Sequence, residues 1–494
     1  MPKKLSEIIE KIKSEFDCEV IGDITDSIVF GVTSDSRKID IGKIFVAIKG
    51  VHSDGHNFIE QAIDNGAICI FANKNHSERN FSVPLILVDD TREVLVSLLK
   101  IFLGEPPEKL YAITGTNGKT TTTHILWHIF KSAGEKAGSI GTLGYMFEDG
   151  IARKLAITTP GAESLWNLLA EMRDRGITSV AMEASSHGID QKRVWGLKFR
   201  SAIFTNLTED HLDYHGDMKN YLMAKAKLFE QLENSSVAVI NIDDPASKTI
   251  IEANRGELLT YAMENKDADV LAKPISMDFS GSKFRLKSPW GEFDVDIKIP
   301  GRFNIYNAAG AAAAALATGY RIGDIIKGIQ SVKSVKGRFQ TIDLGQNFQV
   351  IVDYAHTPDA LRNVISTARE LTEGKVIVVF GAGGDRDRQK RPIMGKIATE
   401  LADFVVITSD NPRTEDPEEI IDMIVSGVDR KNFVRIVDRK QAIYEAIFSA
   451  KSGDTVVIAG KGHEDYQIFA ERTIHFDDAE VAKEAIENIL QESA

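Results

Sequence analysis

Residues 110–126, Leu-Tyr-Ala-Ile-Thr-Gly-Thr-Asn-Gly-Lys-Thr-Thr-Thr-Thr-His-Ile-Leu, leave the chain few local choices. A short apolar run ends in Gly115, Thr116, Asn117, Gly118, Lys119, Thr120 and Thr121. Ile125, Leu126, Ile129 and Phe130 then recur at helical spacing, and Gly134 is a stop signal. A strand, a glycine loop and a helix N-terminus in that order present N–H groups and a positive dipole end to an anion. Lys119 adds a charge for β- and γ-phosphates, and the Thr120 hydroxyl can reach Mg²⁺. The general eight-residue loop asks for glycine at position 113, where this chain has Ile113, so the loop is a shortened form. The competing reading is a tight turn that happens to carry a lysine. ATP is the expected ligand.

At 494 residues the chain is too long for one core, and three domains are expected. The net charge of −13 argues against a nucleic-acid surface, which needs a dominant cationic stripe. Cys18 and Cys69 cannot form a disulfide framework and have no metal-ligand spacing, so both are expected to be buried thiols in a reducing compartment. The first residues lack the apolar core of a signal peptide, and the alanine-rich stretch 308–317 is too short to span a bilayer. A cytoplasmic monomer without membrane insertion is expected.

The fold class reads as α/β. Residues 1–105 form a small α/β unit with strands near 44–48 and 68–72, closed by a proline-rich linker at 103–108. Residues 106–335 alternate strands (179–182, 202–205, 237–240) with helices, the pattern of a mostly parallel sheet around the phosphate loop. Residues 336–494 carry a third βα series, Rossmann-like, with strands near 348–352, 376–380, 404–408 and 455–459. Polar clusters follow these last strands at 353–358, 381–386, 409–413 and 460–464, where open α/β sheets bind ligands. Gly381-Ala-Gly383 hints at a dinucleotide fingerprint, but Arg386 stands where a small residue is required, which speaks against nicotinamide.

Phosphoryl transfer needs oxygen-ligated metal to spread charge over the transferring group. Glu183 lies at a strand end, where a buried carboxylate is costly without a cation; the alternative is a surface-turn glutamate. His211 also follows a strand, and a histidine in such a loop is more often a satisfied polar residue than a ligand.

The segments 115–121, Glu183-Ala-Ser-Ser-His187, Thr205-Asn-Leu-Thr-Glu-Asp-His-Leu-Asp-Tyr-His215, Gly337-Arg-Phe339 and Asp353-Tyr-Ala-His-Thr-Pro358 together resemble the Mur ligase family, in order and over almost the whole chain. The resemblance implies an ATP-dependent amide ligase of peptidoglycan precursor synthesis, with a UDP-binding first domain, a central ATP-binding domain and a third domain for the incoming amino acid. Its substrate would be UDP-N-acetylmuramoyl-L-alanyl-D-glutamate, activated as an acyl phosphate. It also implies that Lys225, by pattern an unremarkable solvated helix lysine, is carboxylated by CO₂ and helps hold Mg²⁺ with Thr120, Glu183 and His211; the register selects Lys225 over Lys227. Lys119, Glu183, His211 and Lys225 would be the catalytic set. Asn304, Arg338, Asp353 and His356 would contact the nucleotide besides residues 115–121. Ser36 would bind the uridine diphosphate, and Thr158, Thr159, Ser185, Gln191 and Arg193 the muramoyl dipeptide, although Arg193 alone reads as a surface salt-bridge arginine.

Ser409-Asp-Asn-Pro-Arg413 and Ala459-Gly-Lys-Gly-His-Glu464 resemble the family members that add the third peptide residue. meso-Diaminopimelate differs from L-lysine by an extra amino-acid terminus with its own carboxylate, so its site needs a spare guanidinium. Arg413 matches the diaminopimelate-adding pattern, with Arg391 as a second cation and Asp410, Asn411, Pro412, Gly460 and Glu464 around the ligand. The bland alternative is that 411–413 merely starts a helix. The expected acceptor is diaminopimelate, with L-lysine as the alternative. A simple phosphotransferase, the folate-polyglutamating relatives and an ATP-responsive scaffold fit less of the chain.

Overall fold

Buried apolar strands alternating with helices sort the described residues into three large sheets of 5, 10 and 6 strands. The computed structural model describes residues 2–50, 53–76 and 80–492. In the first sheet the strands run in the order Cys18–Ile21, Leu85–Val88, Ala67–Asn73, Lys43–Val46, Gly31–Thr33. Only the pairing of Cys18–Ile21 with Leu85–Val88 is antiparallel. Cys69 is fully buried as expected, but Cys18 is not: its strand lies at the sheet edge and leaves the thiol half-exposed. Helix Thr91–Leu103 stops at Gly104 with φ 80°, and Pro106 and Pro107 then lead into strand Lys109–Thr114.

The second sheet places Lys109–Thr114 between Ser179–Glu183 and Phe199–Phe204, all parallel. Strands Ser179–Glu183 and Val237–Asn241 are buried at every residue, as helices on both faces require. Helix Lys119–Ser132 packs against helices Arg302–Ala317 and Ile322–Ser331. The alanine-rich stretch is the buried body of Arg302–Ala317, and its small side chains let that helix nest in the second core. The sheet also continues into an antiparallel meander, Val270–Asp278, Gly281–Ser288 and Gly291–Ile297, which the parallel reading did not anticipate. Its alternating buried and exposed positions suit a sheet with one face toward water.

The third sheet has the order Gln340–Thr341, Gln349–Asp353, Thr455–Ala459, Val376–Phe380, Phe404–Ile407, Phe433–Arg435, parallel after its first strand. Helices Pro358–Leu371, Lys390–Leu401 and Pro417–Val425 fill one core, and Arg439–Ser449 and Asp478–Glu492 the other. This is a doubly wound arrangement with the strands' carboxyl ends on one rim. No helix among the described residues is long and apolar enough to cross a membrane.

Candidate active site

Gly115 and Gly118 hold φ of 148° and 88°, and a Cβ at either would collide with Thr205 Oγ1 or Asn307 Oδ1. Only glycine lets the loop lie this close to its neighbours. Thr116 N donates to Asn206 O (2.9 Å), Asn117 N to Asn206 Oδ1 (2.8 Å), and Thr205 Oγ1 to Asn117 O (2.7 Å), so the loop is fixed from the next strand. Lys119 Nζ donates to Gly115 O (2.9 Å) and Thr116 O (2.8 Å), and burial lowers its pKa against the pull of Glu183 and Asp210. Above the loop lies a cavity of ≈ 580 Å³, walled by the loop, Phe303, Tyr306, Arg338 and residues 353–356.

Strand register aligns Glu183 with Ile113, two residues before the loop begins. Glu183 is 1% exposed, which overturns the surface-turn alternative. Its carboxylate accepts from Thr142 N (2.8 Å) and Thr142 Oγ1 (3.0 Å), and no cationic side chain pairs with it among the described residues. Lys225 is also 1% exposed, against its pattern-based reading as a solvated lysine. It sits over the Tyr221 ring at 4.3 Å and donates to Gly115 O (2.9 Å). Desolvation first, then the nearby Lys119 charge, push its pKa well below the ordinary lysine value. Lys227, by contrast, is exposed and paired with Asp190 at 2.7 Å. His211 lies on the same cavity wall with φ 56°, and desolvation holds its imidazole below the usual range, so it is neutral and can donate a lone pair.

The non-glycine residues with positive φ among those described are Lys192, His211, Phe339, Asp385 and Arg413. Each is, or lies beside or within, one of the candidate loops; such strain of about 1–3 kcal/mol clusters at functional sites.

Thr158 and Ser185 line the cavity; Thr158 Oγ1 lies 3.1 Å from Thr142 Oγ1, and Ser185 caps helix Ser186–Asp190. Thr159 is 1% exposed and spends its hydroxyl on Glu183 O (2.9 Å) and Ser185 N (3.0 Å), so it braces the site rather than lining it. Gln191 Oε1 accepts from Arg193 Nη2 (2.6 Å), and Arg193 Nη1 donates to Thr159 O (2.8 Å). No carboxylate pairs with Arg193 among the described residues, which corrects the surface salt-bridge reading. Ser36 is not on the cavity wall; its hydroxyl donates to Gln61 Oε1 (2.8 Å).

Arg338 Nη2 donates to Thr120 Oγ1 (3.1 Å), and its guanidinium lies 4.6 Å from the Tyr354 ring centroid. Asp353 accepts from Phe339 N (2.6 Å) and Ala355 N (2.8 Å), and burial raises its pKa. His356 Nδ1 donates to Tyr354 O (2.8 Å), which frees Nε2 as an acceptor. Asn304 is fully buried and bonds Pro300 O and Asn307; Asn307, one turn on, is the residue that reaches the cavity.

At the far rim, Arg391 is not the open cation expected. It is 0% exposed and forks onto Glu415 through two 2.9 Å bonds. Arg413, with φ 52°, donates to Gly384 O (2.7 Å) and has no carboxylate partner among the described residues. It precedes helix Pro417–Val425 without joining it, so 411–413 is a loop and not a helix start. Asn411 Nδ2 donates to Glu464 Oε2 (2.8 Å), and Lys461 Nζ bonds both Asn411 Oδ1 and Glu464 Oε2 at 3.2 Å. Gly460 (φ 116°) lacks the Cβ that would stand 2.6 Å from Asp410 Oδ2, which lets the two loops meet. Pro412 is buried in the same loop. The cavity thus joins the phosphate loop, Glu183, His211 and Lys225, while the Ser36 and Arg413 regions lie outside its walls.

Family models match most of the chain: "Mur ligase family, catalytic domain" over residues 29–103, "Mur ligase middle domain" over 113–315, and "Mur ligase, glutamate ligase domain" over 337–462. The chain belongs to the Mur ligase family. It is 46% identical over 466 residues, 93% of this chain and 94% of the relative, to a Bacillus licheniformis protein named UDP-N-acetylmuramoyl-L-alanyl-D-glutamate--2,6-diaminopimelate ligase. A Bacillus velezensis protein of the same name is 43% identical over 98% of this chain and 99% of its own. A solved structure of a ligase with that name is 34% identical, with TM-score 0.71 and 99% of both chains covered. A MurF ligase from Thermotoga maritima in complex with ADP, 19% identical with TM-score 0.64 and covering 94% of this chain and 98% of its own, shares the fold.

Sequence reading of this Mur ligase missed Asn307, Tyr306 and Asp359, which line the cavity. Asp359 opens helix Pro358–Leu371 and accepts from Asn117 Nδ2 (2.9 Å), joining the third sheet's helix to the phosphate loop. The helix-start signal of Thr357-Pro358 was legible; the long-range partner was not.

Proposed function

We propose that this chain is an ADP-forming ligase that joins meso-diaminopimelate to UDP-N-acetylmuramoyl-L-alanyl-D-glutamate through an acyl phosphate. Residues 1–105 hold the uridine diphosphate near Ser36, 106–335 the ATP and the dipeptide, and 336–494 the incoming amine. The observation that carries the reading is Glu183: a carboxylate 1% exposed, beside a phosphate loop, with no cationic partner among the described residues. A carboxylate so placed calls for a metal ion. Glu183, His211, Thr120 and Lys225 as its carbamate are the oxygen and nitrogen donors that would hold Mg²⁺, and bound there it would spread the charge of the transferring phosphoryl group.

Lys225 suits carboxylation, because only a neutral amine attacks CO₂ and burial, followed by the nearby Lys119 charge, shifts this amine toward its neutral form. Arg193 has no carboxylate partner among the described residues and so can receive the dipeptide's own carboxylate. Lys119 and Arg338 orient the phosphates, with Asn304 acting through Asn307. Gly115 to Thr121 supply backbone donors to the same groups. Asp353 and His356 approach the nucleotide from the third domain, whose movement shields the acyl phosphate from water. At the acceptor rim, Arg413 pairs with the distal carboxylate, while Asp410, Asn411, Pro412, Gly460 and Glu464 shape the loop pair around it. The protein acts in the cytoplasm, as a monomer.

The test is phosphate release with each substrate omitted in turn. Release that depends on ATP, the muramoyl dipeptide and diaminopimelate together is expected; release from ATP alone, or equal turnover with lysine, contradicts the reading.

A further inference from the structure

Arg439 and Asp478 open two helices, Arg439–Ser449 and Asp478–Glu492, and both side chains are 0% exposed. Arg439 Nε donates to Asp478 Oδ1 (2.8 Å) and Nη2 to Asp478 Oδ2 (2.7 Å), a two-pronged pair. The guanidinium then makes two more bonds, Nη1 to Ser409 O (3.2 Å) and Nη2 to Ala459 O (3.0 Å). Ser409 directly precedes Asp410, and Ala459 directly precedes Gly460. One side chain therefore grips the roots of both rim loops.

The strands that carry those roots are not neighbours. Val376–Phe380 lies between Phe404–Ile407 and Thr455–Ala459, so no strand pairing spaces the two loops at their roots; farther out they meet through Arg413 N to Ile468 O (3.0 Å) and Asn411 Nδ2 to Glu464 Oε2 (2.8 Å). Burying an ion pair is seldom the most stabilising choice, since an apolar pair of similar volume does as well or better. What an apolar pair cannot supply is a rigid planar fork that bonds two carbonyls while held from behind by a carboxylate. We propose that Arg439 is a positioning residue for amino-acid recognition: it fixes the spacing of the loops bearing Arg413 and Glu464. The inference rests on the reading of those loops as the acceptor site.

Three variants test it: Arg439→Lys, Asp478→Asn, and the apolar exchange Arg439→Met with Asp478→Leu. KM is measured for diaminopimelate, ATP and the muramoyl dipeptide, with melting temperature as the check on folding. Arg439→Lys keeps the charge but loses the fork, so its diaminopimelate KM is expected to rise about tenfold, with the other two KM values within about twofold of the parent. Asp478→Asn shifts the same constant in the same direction by less. The apolar pair recovers the melting temperature and retains the diaminopimelate defect. An unchanged diaminopimelate KM in any folded variant overturns the proposal, as does a common rise in all three constants; if Arg439→Lys does not fold, the other two variants decide by the same ratio. Arg413→Ala is run alongside. If it too leaves the diaminopimelate KM unchanged, the acceptor reading has failed; if it alone raises that KM, only the role of Arg439 has failed.

Discussion

The phosphate-loop cavity and the rim loops of the third sheet are both rich in buried charge, and they treat it in opposite ways. In the cavity, Glu183, Lys119 and Lys225 have no ion-pair partner among the described residues; the lysines lean on backbone carbonyls instead. At the rim nearly every charge is matched: Arg391 with Glu415, Arg439 with Asp478, Lys461 with Glu464. Under the proposed function, the difference follows from what each region would meet. Charge that arrives and leaves with ATP and metal has to find its counter-charges open, at a cost in stability. An amino acid that the rim would recognise by shape and one salt bridge could meet a network satisfied in advance, with Arg413 left without a carboxylate partner among the described residues.

The sharpest way to break this comparison is Lys225→Ala. If the open charge of the cavity is functional, turnover falls by about a thousandfold or more, because a metal ligand would be lost along with the hydrogen bond to Gly115 O. Added formate or acetate restores part of the rate by supplying an anionic oxygen in the vacated space. Steady-state phosphate release measures both, and normal turnover in the unrescued variant removes Lys225 from the mechanism.

Glu183→Gln comes next, with opposite effects on rate and stability. Turnover falls by about 10²–10³ as an anionic ligand is lost. The unliganded protein gains about 0.5–2 kcal/mol, because an unmatched buried carboxylate becomes a neutral amide that still accepts from Thr142. Denaturant unfolding without nucleotide or metal reports the gain. A loss of stability instead would mean that Glu183 is matched in the resting protein and that the contrast between the regions is false.

At the rim, Arg413→Ala sharpens the same contrast. It removes one charge-assisted bond worth about 1.5–3 kcal/mol, so preference for diaminopimelate over lysine falls about ten- to a hundredfold. Competition between the two amines at fixed muramoyl dipeptide reads that ratio directly.

How much of this was legible from sequence differs by residue. The three-sheet α/β order was legible because buried parallel strands are continuous apolar runs, as at 376–380 and 455–459. The meander at 270–297 was not, since its charged outer face weakens the apolar signal. Lys225 was placed only through resemblance, yet Tyr221, Lys225 and Phe229 share a helix face at four-residue spacing, and both aromatics are buried. That spacing alone argues for a buried lysine. Arg391 shows the reverse limit: no local pattern announces that Glu415, 24 residues on, has claimed it.

Arg391 is therefore the control, with the smallest expected effect on chemistry. Arg391→Met leaves acceptor preference within about twofold, because the guanidinium is already committed to Glu415 and Gly383 O. Its effect is on folding: Glu415 loses its two-pronged partner and keeps, as cationic partner among the described residues, only the more exposed Arg388 at 3.1 Å, a cost of about 1.5–3 kcal/mol near neutral pH. The pH dependence identifies the cause. The Arg391 hydrogen bonds are the main reason that the Glu415 carboxyl is lowered from 4.5 to about 2. A folded-state pKa below the unfolded one stabilises above the unfolded value, and that contribution fades as pH falls from 4.5 through 2. The stability gap between parent and variant should then be constant above pH 5 and narrow as acid protonates Glu415. A gap that is flat across that window, or a variant that loses its preference for diaminopimelate, would mean that Arg391 is an open cation after all and that the rim is not saturated.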